Sequence, residues 1–155
     1  MASRDQQGET EMTMAQLDLS ALENALDSLN ESLAAVSNAK WFNAQTGGVQ
    51  NTLIAGVVKN FEFVYELSVK MIRRRLEMGS DSPAEIDKLE FRDLLRHAAE
   101  KGLIGDVEAW FKYRKMRNIT AHTYDHEKAH QVYRDTLTFI GDANNLLACL
   151  KARNA

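Results

Sequence analysis

Leu19, Leu22, Leu26, Leu29, Leu33 and Val36 recur at spacings that alternate between three and four residues. On a strand such a set would scatter over both faces, but on a helix it forms one narrow apolar seam. A seam of this kind suits a helix packed nearly parallel to its neighbours in a bundle. Ser20 and Glu23, in S-x-x-E spacing, read as the capping box that opens this helix. The rest of the chain keeps to helical spacing and holds a single proline among 155 residues. The expectation is an all-α protein, one domain long enough to bury a core.

Residues 38–48 read as a connection, with "TGG" as its turn signal. A second helix is expected over 49–78. Leu53, Val57, Phe61, Val64, Leu67 and Met71 make it apolar around much of its circumference, so it should be central. "GSDSP" ends it, and Ser82, Pro83 and Glu85 can open a short helix through another S-x-x-E box. "LEFRDLLRHAAEKGLI" is amphipathic, with Phe91, Leu94, Leu95 and Ala98 inward and Gly102 as a left-handed cap. Asp106 can cap "VEAWFKYRKMRNITAH", and Asp125, with Glu127 behind it, a last helix from His126 to about Leu150. The sum is an antiparallel bundle of about five helices. Residues 1–16 form a polar stretch, expected to be a disordered leader, and 17–155 the bundle domain.

No apolar run is long enough to span a bilayer, and the lone Cys149 rules out an internal disulfide framework. A soluble, cytoplasmic protein without membrane partners is expected. The formal charge of −3 argues against coating nucleic acid through the overall field, but leaves room for a local basic groove.

The chain has no P-loop, no G-x-G-x-x-G, no C-x-x-C pair, no H-E-x-x-H and no Asp-x-Asp pair. No cofactor or metal is therefore expected. His122, His126 and His130 are spaced four and four, but Thr123 to Asp125 looks like a break that would separate the first from the others. Glu62 and Glu66 could be paired carboxylates for acid–base work, or buried acids that orient basic side chains such as Arg117. The second reading is favoured. Arg73 and Arg74, with Lys112, Arg114 and Lys115, are candidates for contacts to RNA phosphates. Trp110, Phe111 and Tyr113 are interleaved with the second cluster, as stacking platforms or as core.

"RNITAHTYD", residues 117–125, carries the sharpest question. On a regular helix, Arg117 and Tyr124 would share a face, while His122 would lie about 140° from Arg117. Arg117 and His122 could converge on one atom only at a helix break, or across the two-fold axis of a dimer. Such a pair has a use: RNA is cleaved without metal when its own 2′-hydroxyl attacks the neighbouring phosphate. Histidine can move protons near neutral pH, and arginine can hold the charged phosphate.

"FEFVYELSVK", "FRDLLRHAAEKGLI" and "AWFKYRKMRNITAHTYD", in that order, resemble the HepT proteins of the HEPN superfamily. These are also described as substrate-binding subunits of minimal nucleotidyltransferases. The resemblance covers most of the chain after the leader. It implies a bundle that homodimerises through the motif-bearing helices, with R-x4-H-x-Y lining the cleft between copies. Arg117 and His122 match the ribonuclease pair, Asn118 the polar residue after the arginine, and Tyr124 the motif tyrosine. Glu62 and Glu66, on the reading of their positions above, are expected to support that pair. In HepT toxins that tyrosine is adenylylated by a cognate nucleotidyltransferase antitoxin, MntA, which silences the toxin. The implied function is an endoribonuclease toxin. The alternative is a non-catalytic substrate-binding or regulatory subunit of the transferase.

Overall fold

The computed structural model describes residues 16–154, which hold seven α-helices and one 3-10 turn. They are α1 (Ser20–Ser37), α2 (Ala39–Asn43), α3 (Gly47–Met78) and α4 (Pro83–Lys88). Then follow α5 (Phe91–Glu100), α6 (Val107–Ile119), the 3-10 turn Thr120–His122 and α7 (His126–Asn154). The all-α bundle expected from the apolar spacing is the architecture found. The leader assigned to residues 1–16 lies, but for Gln16, outside the described residues.

The leucine seam does what its spacing requires: Leu22, Leu26, Leu29, Leu33 and Val36 are all buried. Its capping box does not form. Asp18 Oδ1 takes both the backbone N–H of Ser20 (3.0 Å) and its hydroxyl (2.7 Å), so Ser20 already lies inside the helix. Glu23 turns instead to Lys151 on α7, 2.6 Å away.

The expected connection at 38–48 contains a helix, α2. Asn38 caps it through the N–H of Trp41, and Thr46 then caps α3 through that of Val49. Helix α3 is central, with Val57, Phe61, Val64 and Ile72 fully buried. It runs antiparallel to α1, and Asn60 donates to the carbonyl of Ser28 and the hydroxyl of Ser32 across their seam. Helix α7 runs alongside α3 in the same direction, with Phe139 edge-on to Phe61 at 4.9 Å between centroids.

Pro83 opens α4 as expected, but Ser82 makes no capping hydrogen bond through its side chain. The far end of α4 is held by Arg73, which donates from Nη1 to the carbonyls of Ile86 (2.8 Å) and Asp87 (3.2 Å) and from Nη2 to that of Leu89 (3.3 Å). Leu89 is extended and separates α4 from α5. Gly102, at φ 76°, closes α5 in the left-handed conformation that a side chain resists. Leu103 then returns its N–H to Ala98 (2.9 Å) and buries its side chain.

Helix α6 lies over α3 and α7 and buries its aromatics. Trp110 and Tyr113 are edge-on at 5.4 Å, and Tyr113 meets Phe139 at 4.9 Å. Such pairs add about 0.5–1.5 kcal/mol each beyond area burial. The Tyr113 hydroxyl donates to Asp142, and burial, reinforced by that carboxylate, pushes its ionisation well up. Among the described residues, no helix is long and apolar enough to cross a membrane.

Candidate functional site

Asp106 starts α6 by accepting the N–H of Ala109 at 3.2 Å, as its sequence position suggests. This start sets the register that brings Arg117, in the last turn, against α3. Arg117 donates from Nε (2.9 Å) and Nη2 (2.7 Å) to one oxygen, Oε1 of Glu66. Its Nη1 donates to the Thr120 hydroxyl at 3.2 Å and lies 3.9 Å from Glu62 Oε1. Thr120 Oγ1 in turn donates to the Arg117 carbonyl at 2.6 Å. Three side chains from two elements thus fix one guanidinium.

The two acids differ in setting. The Glu62 side chain is 15 % exposed and is also held by Lys59 at 3.1 Å. Burial pushes its carboxyl up, but the Thr120 hydroxyl, Lys59 and Arg117 outweigh burial and hold it below the usual value. The Glu66 side chain is 53 % exposed, so it is not the buried acid the apolar helix suggested. Its position on α3 puts it at the rim, where water reaches the carboxylate. Both carboxylates lie within ion-pair distance of the arginine. The hydrogen bonds to Glu66 raise the Arg117 pKa further, so the group is a fixed cation. Tyr65, beneath them, is pushed up to about 12, chiefly by burial.

Helix α6 ends at Ile119, earlier than the expected end near His122, and the 3-10 turn carries Thr120 to His122. The helical wheel that put Tyr124 on the face of Arg117 therefore does not apply. Tyr124 stands on the following turn, 81 % exposed, with its ring 6.2 Å from that of His122 and nearly perpendicular to it. His122 is exposed, as is Asn118. No hydrogen bond joins Arg117 to His122 among the described residues. Asp125 caps α7 through the N–H of Glu127 at 3.0 Å. His126 and His130 lie on α7, beyond the break, so the three histidines do not stack on one helix.

The basic candidates separate. Arg73 is occupied with the end of α4, and Arg74 is exposed on α3. Arg114 lies 4.4 Å from the Phe91 ring, while Arg92 lies 4.7 Å from that of Phe111, two crossed contacts that tie α5 to α6. Lys112 is 3.9 Å from Asp135, and Lys115 makes no ion pair with a described residue. Trp110, Phe111 and Tyr113 are buried in the core and offer no stacking surface. The aromatics exposed near the site are instead Tyr124 and Phe63, the latter beside Lys59.

Sequence reasoning missed Thr120 and Lys59. The spacing of Lys59 and Glu62, three apart on one helix, was a signal for the second. Nothing local marked Thr120. A separate cleft of about 450 Å3 is lined by Arg75, Gly79, Lys101 and Arg153. It lies where α3, α5 and α7 end, and there Arg153 donates to the carbonyl of Lys101.

Residues 17–152 match the family described as nucleotidyltransferase substrate binding protein like. A relative from Haemophilus influenzae, named probable ribonuclease HepT, is 45 % identical over 143 residues, 92 % of this chain and 98 % of that one. A solved Haemophilus influenzae structure, described as the fold of a substrate binding domain of a nucleotidyltransferase, superposes with a TM-score of 0.85. It is 45 % identical and covers 86 % of this chain and 99 % of its own. With the family matched over nearly its whole described length, this chain belongs to the HepT-like, nucleotidyltransferase substrate-binding family of the HEPN superfamily.

Proposed function

We propose that this chain is a metal-independent endoribonuclease toxin, silenced when a cognate minimal nucleotidyltransferase adenylylates Tyr124. One observation carries the reading: a guanidinium held as a permanent cation at the end of α6, followed at once by a turn that exposes His122 and Tyr124. The name of the 45 % identical relative, a probable ribonuclease, supports it.

The nucleophile belongs to the RNA. Its 2′-hydroxyl attacks the adjacent phosphorus while the bond to the 5′-oxygen of the next nucleotide breaks. One proton leaves the 2′-oxygen and another reaches the departing 5′-oxygen. His122 takes these proton transfers, and Arg117 holds the phosphate as charge builds on it. The motif faces its counterpart across a two-fold axis in a homodimer, so one groove holds two arginines and two histidines. One His122 then acts as base while the other acts as acid. Asn118 contributes an amide to the same groove, and Lys115, Arg74, Lys112 and Arg114 attract the RNA backbone. Tyr124 projects beside His122, so phosphate and adenosine on its hydroxyl crowd the histidine and compete for the cations.

A second reading has its own support, since the family description and the solved neighbour both name a nucleotidyltransferase substrate-binding protein. On that reading the chain serves the transferase and cuts nothing. Product analysis separates the two: 2′,3′-cyclic phosphate and 5′-hydroxyl ends from a single-stranded RNA establish the ribonuclease. Intact RNA, with tight binding to the transferase, establishes the subunit.

A further inference from the structure

Arg117 meets its two acids on different terms, and this difference points to a device within the proposed ribonuclease site. Nε and Nη2 form one edge of the guanidinium fork, the edge that fits two oxygens of a carboxylate or phosphate. In this chain that edge is filled by a single oxygen, Glu66 Oε1, at 2.9 and 2.7 Å. The opposite side, Nη1, faces Thr120 and Glu62. Glu62 is tied down by Lys59 and by its depth, at 15 % exposure, whereas Glu66 is 53 % exposed. Among the described residues, Glu66 has no hydrogen-bond partner other than Arg117. An ion pair that water reaches so freely contributes little net free energy, so its carboxylate is free to swing away.

We propose that Glu66 is a displaceable counter-anion, filling the phosphate edge of Arg117 at rest and yielding it to an incoming RNA phosphodiester. Glu62 and Thr120 stay in place and keep the guanidinium aimed throughout. The exchange gives the site a threshold. RNA must displace a tethered carboxylate held at a finite effective concentration, so the threshold is modest, about fivefold in affinity. Glu66 is thus a positioning residue that restrains the site, and Glu62 one that supports it. The inference rests on the ribonuclease reading above.

The test uses the full chain made without a transferase, with an unmodified Tyr124 verified by intact mass. The probe is a 2′-O-methyl oligoribonucleotide, which presents the phosphodiesters but cannot be cleaved. Glu66→Gln, which keeps an acceptor and removes the charge, binds it about fivefold more tightly than wild type. Glu66→Ala also tightens binding, Glu62→Gln weakens it and Arg117→Ala weakens it most. With cleavable RNA, Glu66→Gln lowers KM. Thermal melts check that every variant is folded. Unchanged or weaker binding by both Glu66 variants, with Arg117→Ala still costing affinity, overturns the exchange and leaves the ribonuclease reading standing. Equal tightening by Glu62→Gln also overturns it, because net charge alone would then explain the gain. If Arg117→Ala binds as wild type does, the role of Arg117 in RNA binding fails, and the exchange with it.

Discussion

Arg117 Nη2 lies 2.7 Å from Glu66 Oε1, so residues 51 positions apart close the last turn of α6 onto α3. The motif arginine therefore reaches solvent already aimed. A lysine there could match the charge but not the three-sided grip on Glu66, Thr120 and Glu62. Arg117→Lys is expected to leave the fold intact and to lower kcat/KM for RNA by about a hundredfold. Circular dichroism and single-turnover cleavage measure the two effects.

Tyr124 is 81 % exposed, and its hydroxyl makes no hydrogen bond among the described residues. Tyr124→Phe should change stability by less than about 0.5 kcal/mol and keep RNA cleavage. In cells the variant is expected to stay toxic when the transferase is co-expressed, whereas wild type is neutralised. Growth of the two strains side by side reads this out.

Arg73 and Lys115 were alike as sequence candidates for RNA contact, and the fold separates them. Arg73 donates to three backbone carbonyls around the end of α4, while Lys115 is exposed. Arg73→Ala should therefore destabilise the protein by about 2 kcal/mol, because carbonyls and a short helix lose their cap. Lys115→Ala should melt as wild type does but bind RNA with a shallower salt dependence. Urea unfolding and a salt titration of binding give the two readouts.

Glu62 links the site to pH. Its folded pKa lies below the ordinary value of 4.5, so the protonated unfolded chain holds its proton more tightly than the folded one. The stabilisation is fully present above pH 4.5 and is lost as pH falls through the folded pKa. Glu62→Gln should be less stable than wild type at neutral pH, with the gap shrinking on acidification. Melting temperatures of both proteins from neutral pH down to about pH 3 check the sign.

What the sequence made legible was periodic. The leucine seam of α1, the central α3 and the caps at Gly102, Asp106 and Asp125 all follow from residue type and local spacing. The misreadings arose where a local motif had a non-local or stronger competitor. Asp18 accepts both the N–H and the hydroxyl of Ser20, which lies inside the helix rather than at its cap, and Asn38 caps α2 inside an apparent loop. The candidate residues of the site were nameable, but their arrangement was not. Whether Glu66 meets Arg117, and whether Trp110 faces base or core, depends on how α6 lies across α3 and α7. The angle between Arg117 and Tyr124 failed for a related reason: a wheel assumes a helix, and α6 stops at Ile119.

The central claim is that the unmodified chain cuts RNA with Arg117 and His122 and without a metal ion. The most direct measurement incubates purified protein with single-stranded RNA in excess chelator, beside Arg117→Ala and His122→Ala. The account predicts cleavage by wild type at undiminished rate and none by either variant. Intact RNA with the wild type, or cleavage that survives both substitutions, would contradict it.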